Sequence, residues 1–435
     1  MKNRTYIKQV YWLMLICLFF LTTSIYSQEN SQEKQYLDKY LVIAAENNPE
    51  LKSLYNQYQA ALEQVTRDGA LPDPQLNLGY FIQPVETRLG AQRGSASFSQ
   101  MFPWFGTLDA QEKVAVEQAK SKFEAFEDAK LELFRDVKTT YNELYYLNEA
   151  IRITKENLGL LASFKGLAEV QFESGRSGFS SVLQVEMEEE ELQTRLAYLE
   201  DSRQPLETQF EQLLNISLEE PVFLPEVLWK EQLLLGKQEI FQNILKENPR
   251  LDQLEYEAKS FKEQVEVARK QGFPSINLGA SYTNISPRND IDPQVGLEDN
   301  GRDAFIFPQV GIRLPLYRKK YKAMRQQALL QQEAAIFRKK NLENQLLTEM
   351  EEFYRNYLDA QRKVLLYDRL TNIARQSLEL LQTELSTGQN NVFEIIRMER
   401  QLLGYNLELV RAQTEQNNSI YRINYLMGQQ YETNR

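Results

Sequence analysis

The chain has no histidine and only one cysteine, Cys17, in 435 residues. The lack of histidine excludes every Ser–His or Cys–His nucleophilic pair. Beyond Cys17 it also leaves no imidazole or thiolate on which to build a transition-metal site. No Walker loop and no GxGxxG fingerprint occurs, so a nucleotide cradle is not expected. Long apolar runs are equally scarce. After residue 27 none approaches the ~20 residues that a membrane-crossing helix needs. That exclusion does not reach β-barrels, whose strands alternate and leave a weak hydropathy signal. Cations are outnumbered, with a net charge of -11, a sign that disfavours nucleic acid as a partner. Met101, Met187, Met324, Met350, Met398 and Met427 are too dispersed for a Cu(I) relay. Taken together, these absences argue against an enzyme and imply no cofactor.

The first 27 residues read as a secretory signal. Lys2, Arg4 and Lys8 precede an apolar run from Val10 to Leu21, and small and polar residues lead to Ser27. Cleavage is expected after Ser27. Ile16 stands before Cys17 where a lipoprotein signal wants a small residue, so acylation is not expected. Losing three cations and no acid takes the net charge from -11 to about -14.

What remains is two copies of one plan. Asn48-Pro49 and Asn248-Pro249 each supply an N-cap followed by proline at the first helical position. A helix of roughly 20 residues follows in each copy, ending near Gly69 and Gly272. An alternating segment comes next. In "DPQLNLGYFI", Pro74, Asn77, Leu78 and Gly79 line up with Pro274, Asn277, Leu278 and Gly279 of "FPSINLGASY". A polar, turn-rich stretch follows, Gln83 to Arg93 in the first copy and Ile285 to Asp303 in the second. Then the alternation returns. Ala96, Phe98, Gln100 and Phe102 face away from Ser95, Ser97, Ser99 and Met101; Val310, Ile312 and Leu314 alternate with Gln309, Gly311 and Arg313. Pro103 and Pro315 end the returns, because proline has no N–H for a ladder. Each copy therefore carries a β-hairpin with strands of about 10 residues, the ~9–11 that cross a bilayer at a tilt. Aromatics gather near the strand ends, among them Tyr80, Phe102, Trp104, Phe105, Tyr282, Phe307 and Tyr317, as in the interfacial girdles of membrane barrels.

Long helices take over from the strands. Arg318 to Leu385 has neither glycine nor proline, about 68 residues or ~100 Å of helix. Thr107 to Phe172 has only Gly159 and Gly166. Val364, Tyr367, Thr371, Ala374, Leu378, Leu381 and Leu385 alternate at spacings of three and four, which is a coiled-coil stripe. The first copy repeats it at Ile151, Thr154, Leu158, Leu161, Lys165, Ala168 and Phe172, with Lys165 as the break. A turn then reverses each helix, at Glu173 to Phe179 and at Ser386 to Phe393, and Pro205 is expected to kink the first return helix. The acidic "EMEEEEL" at Glu186 to Leu192 reads as a solvated helix face. The basic "YRKKYK" at Tyr317 to Lys322 follows the last strand directly. The domain reading is a signal peptide over 1–27 and repeat I over 28–215, with a β-hairpin at 74–103 and a helical hairpin at 107–215. A linker over 216–240 leads to repeat II over 241–428, with a β-hairpin at 274–315 and a helical hairpin at 318–428, and a tail over 429–435.

The fragments "NPELKSLYNQYQAALEQ", "PDPQLNLGY", "FSQMFPWFGTLDAQ" and "FESGRSGFSSVLQVE", with their second-copy partners, resemble the TolC-type outer-membrane efflux family. The likeness covers essentially the whole chain after residue 27. It implies a mainly α fold with a membrane β-barrel. In a homotrimer, each chain gives four strands to a 12-stranded barrel in outer-membrane lipid, and the long helices form an α-barrel across the periplasm. It also implies a passive duct coupled to a periplasmic adaptor and an inner-membrane pump. The family's tip turn carries a glycine, here Gly175 and Gly388. TolC-like members have an aspartate six positions further on that helps close the entrance; Glu394 stands there. A second aspartate is replaced by Arg397, one helical turn away and able to pair with Glu394. Ser181 and Gln184 are the uncharged first-copy counterparts. The alternative function is a secreted or periplasmic coiled coil that docks partners without forming a pore.

Overall fold

The computed structural model describes residues 35–290, 298–386 and 392–429. The expected signal peptide, Gly388 and positions 430–435 of the tail lie outside the described residues. The chain begins with α1 (35–47), α2 (Pro49–Gly69), β1 (Gln75–Thr87), β2 (Gly90–Phe102), α3 (Thr107–Glu173), α4 (Phe179–Asp201) and α5 (Arg203–Leu214). The same order then recurs as α6 (Lys237–Glu247), α7 (Pro249–Lys270), β3 (Ser275–Ser286), β4 (Ala304–Arg313), α8 (Arg318–Ser386) and α9 (Val392–Leu426). Asn48 caps α2 as its sequence position suggests: its Oδ1 accepts from the N–H groups of Glu50 and Leu51 at 2.9 and 3.1 Å. The long helices α3 and α8 have 67 and 69 residues, each roughly 100 Å at ~1.5 Å per residue.

Three local expectations change. The polar stretch from Gln83 to Arg93 is mostly strand: the β1–β2 ladder continues through Val85↔Gln92 and Thr87↔Gly90. Its register shifts between Tyr80 and Val85, which absorbs Pro84, and β1 is an edge strand where proline is tolerated. The return helix of the first copy is two helices instead of one kinked helix. They break at Ser202, and Pro205 sits in the first turn of α5, where its missing N–H costs nothing. The irregular connection between the copies ends at Gly236, so α6 takes up the last positions of the expected linker. The Gly236 N–H donates to the Glu239 carboxylate at 3.3 Å.

The described residues fall into two compact units. One comprises Leu54–Phe126 and Pro249–Leu342, with the sheet, α2 beyond its first turn, α7, and the beginnings of α3 and α8. Its helices pack through aromatic pairs, Tyr55 with Phe126 at 5.6 Å and Tyr58 with Phe123 at 5.3 Å. Lys259 and Lys339 both reach Glu255 at 2.7 Å and hold its carboxyl down at about 2.

The other unit takes the described residues up to Ser53, Glu127–Asn248 and the described residues from Glu343 onward. Its core is tight: Leu37, Leu41, Tyr141, Phe210, Leu214, Ile240, Ile244 and Ile420 are all below 2 % exposed or close to it. The coiled-coil stripe is buried at Ile151, Thr154, Leu161, Ala168, Thr371, Ala374, Leu378 and Leu385, half-buried at Leu158, Val364, Tyr367 and Leu381, and exposed at Phe172. Lys165 interrupts it by turning out to Glu186 and Glu189 at 3.3 and 3.2 Å. The irregular linker has no ladder, so side chains satisfy its backbone. Tyr141 donates to the Phe223 carbonyl at 3.0 Å, and the Leu228 N–H donates to the Tyr145 hydroxyl at 3.1 Å. Asn417, 1 % exposed, both donates to the Trp229 carbonyl at 2.8 Å and accepts from the Glu231 N–H at 3.0 Å. Asn417→Ala strands one buried and one half-buried backbone group, so it is expected to lower stability by about 2–3 kcal/mol. Thermal unfolding checks the loss, and limited proteolysis is expected to cut first between residues 216 and 236.

Candidate functional site

The sheet is antiparallel in the order β1-β2-β3-β4, so β1 and β4 are both open edges. Register converts the sequence alternation into two faces. Leu76 pairs with Phe98, and Phe98 with Ala280; Leu78 pairs with Ala96, and Ala96 with Tyr282. Phe102 pairs with Ile276, and Ile276 with Ile312; Leu278 pairs with Val310. These residues share one face. The other face carries the rows Gln75–Ser99–Gly279–Gln309 and Asn77–Ser97–Ser281, with Asn277 opposite Gly311. A register shift between Gly279 and Ser281 re-aims β4, so that Phe305 lies opposite Tyr282.

Among the described residues nothing covers the apolar face. Leu78, Tyr80 and Ile82 are 76, 77 and 91 % exposed, and Val310 and Ile312 are 59 and 63 % exposed. A contiguous patch of this extent marks a membrane or partner surface. The small polar face can border only water or a polar partner. One sheet with a greasy side, a wet side and two unpaired edges is what a segment of a barrel wall requires.

The second candidate region lies in the helical unit. Gly175, at φ +70, makes the reversal between α3 and α4, and the Arg176 N–H reaches back to the Gln171 carbonyl at 2.8 Å. Ser181 and Gln184 follow on the first turns of α4, half-buried. On α9, Glu394 and Arg397 are brought together in an ion pair at 2.6 Å. The acidic run on α4 is not simply a solvated face. Glu188 is buried and receives a two-pronged contact from Arg400 of α9, whose guanidinium lies 3.7 Å from Glu191. Arg400 therefore ties the two copies together. No sequence pattern singled it out, because its partner stands 212 positions away.

Glu399 was also missed. It is 2 % exposed, and neither carboxylate oxygen has a hydrogen-bond partner among the described residues. Burial pushes its pKa from 4.5 up to about 7. The signal was present in the sequence: Ile395, Glu399 and Leu402 are spaced as a core stripe, and Glu399 occupies an apolar position. A raised acid pKa means that the fold prefers the protonated form. This group's contribution is fully present below pH 4.5, is lost as pH rises through about 7, and stays lost above that. Glu399→Gln is therefore expected to stabilise the chain by about 2 kcal/mol at pH 8 and to change nothing at pH 4. Thermal unfolding at the two pH values measures the difference.

Among the described residues, no cluster of three or more Asp, Glu, His or Cys is placed to hold a metal ion. None of the described helices is long and apolar enough to cross a membrane, which leaves the sheet as the membrane candidate.

Comparison with known proteins agrees with this geometry. The sequence profile described as "Outer membrane efflux protein" matches residues 41–215 and 240–429. A protein of Aggregatibacter actinomycetemcomitans named "Toxin and drug export protein A" is 26% identical over 181 residues, covering 41% of this chain and 39% of its own length. The alignments span about two fifths of the curated relatives matched. The structure of CusC superposes with a TM-score of 0.76 at 18% identity, over 91% of this chain and 92% of that one. That of VceC from Vibrio cholerae gives 0.74 at 17% identity, over 93% and 98%. The profile matches both halves of the chain, each with its own hairpin: the chain belongs to the outer membrane efflux protein family, of the TolC type.

Proposed function

We propose that three copies of the chain close a 12-stranded barrel in the outer membrane and act together as a passive exit duct. The observation that carries this reading is the two-faced sheet with open edges at β1 and β4. Lipid offers no hydrogen bonds, so each edge must meet another strand. The strand directions make β4 of one copy antiparallel to β1 of the next. Two copies would give 8 strands and a barrel filled by its own side chains; three give 12 and leave a lumen. The pore-free coiled-coil alternative would leave the apolar face in water.

On this reading the duct has no energy source of its own. A periplasmic adaptor joins it to an inner-membrane pump, which sets the cargo and supplies the drive. The likeness to a toxin and drug export protein supports efflux or secretion as the cargo class. The repeats at 28–215 and 241–428 are the evolutionary units, and each contributes a hairpin and a helical reversal. The reversals form the periplasmic entrance, with Gly175, Ser181 and Gln184 from the first copy and Gly388, Glu394 and Arg397 from the second. The Glu394–Arg397 pair holds it shut in place of an acidic ring.

The purified protein in detergent is expected to have the mass of a trimer and, in planar bilayers, to conduct ions poorly. A monomer that carries no current under any condition contradicts the duct. Glu394→Ala and Arg397→Ala are each expected to raise single-channel conductance at least twofold. Unchanged conductance in both removes the pair from the entrance and leaves the duct standing.

A further inference from the structure

The charge of the chain changes sign at the foot of the sheet. A cavity of about 810 Å³ opens there, a volume within the roughly 300–1,000 Å³ of small-molecule sites. It lies on the polar face, for it touches the ends of β2, β3 and β4 through Met101, Ser275 and Arg313 and the approach to β1 through Asp73, and both Ser275 and Arg313 belong to the polar rows. Its wall holds four cations, Arg67, Lys270, Arg313 and Lys320, against two carboxylates, Asp68 and Asp73. Arg67 is engaged by Asp68 at 2.8 Å. Lys270, Arg313 and Lys320 have no carboxylate partner among the described residues. With Asp73 on the same wall the net charge is about +2, and in an acidic chain this raises the local potential and the local concentration of anions. The backbone dipole at the start of α8 adds to this field, and no acid in the first turn of that helix offsets it.

The same wall carries a flat apolar surface. Trp104 and Phe273 stack at 5.2 Å with an interplanar angle of 21°, and both line the cavity, as does Tyr321. Lys270 reaches the backbone of the turn that precedes α3. A Cβ built on Gly106 would lie 2.5 Å from its Nζ, so the ammonium packs against the glycine backbone, whose φ of +73 itself favours glycine. Cations set beside aromatic side chains suit a ligand with a negative head and an apolar or aromatic body.

We propose that this cavity is a binding station for amphiphilic organic anions, the head held by Lys270, Arg313 and Lys320 and the body laid against Trp104, Phe273 and Tyr321. It rests on the exit-duct reading for its place on the lumen wall, where such anions would dwell on their way out. A simple screen would need only charge; the adjoining aromatics make it a site for a class of molecule.

The test is calorimetric titration of naphthalene-2-sulfonate into the detergent-solubilised full assembly, with naphthylmethylammonium as the opposite-charge control. Saturable binding of the sulfonate alone is expected, weakened at least tenfold in the Lys270→Gln/Arg313→Gln double variant and unchanged in Lys319→Gln, which lies outside the cavity wall. No saturable binding, equal binding of the ammonium, or full binding by a double variant that keeps its oligomeric mass overturns the proposal. The titration reads binding and not current. A protein that binds without conducting therefore overturns the duct alone, and one that conducts without binding overturns the station alone.

Discussion

Hydrocarbon cannot hydrogen-bond a peptide group, and the architecture follows from that constraint. An antiparallel sheet of four strands satisfies its interior but leaves the outer edges of β1 and β4 unpaired. In water such edges are managed with charge or short length. Here β4 is exposed along all ten residues, with Phe305, Phe307, Val310 and Ile312 among them. An edge of that composition is tolerable only where another strand covers it.

The helices answer a different demand. They carry charge on most faces and an apolar seam on one, so they are stable in water only when seams meet. Their length comes from uninterrupted helix-forming sequence, and their reversals from glycine and small polar residues. Ion pairs such as Arg400–Glu188 and Lys165–Glu189 add cross-helix register at modest energy. Glu399 runs against this pattern, a buried acid that the fold holds at a cost near neutral pH.

Much of this was legible beforehand because two strong periodicities are present. Alternation at spacing two located β1 to β4, and the three-four spacing located the seam on α3 and α8. Local chemistry gave the Asn48 cap and the Glu394–Arg397 pair, since both partners lie within one turn. The rest depended on distance along the chain. Arg400 meets Glu188, Asn417 meets the linker, and Lys270 meets Gly106 only after folding. No window of sequence contains both members. Polar composition also misled: Gln83 to Arg93 reads as a turn in isolation, yet pairing with β2 and β3 makes most of it strand.

The most direct measurement is hydrogen exchange, read residue by residue on the extracted protein. If neighbouring copies complete the wall, the amides of β1 and β4 that point away from β2 and β3 exchange as slowly as those inside the sheet. If those outward amides exchange orders of magnitude faster while the interior of the sheet stays protected, the edges are open and the barrel does not exist.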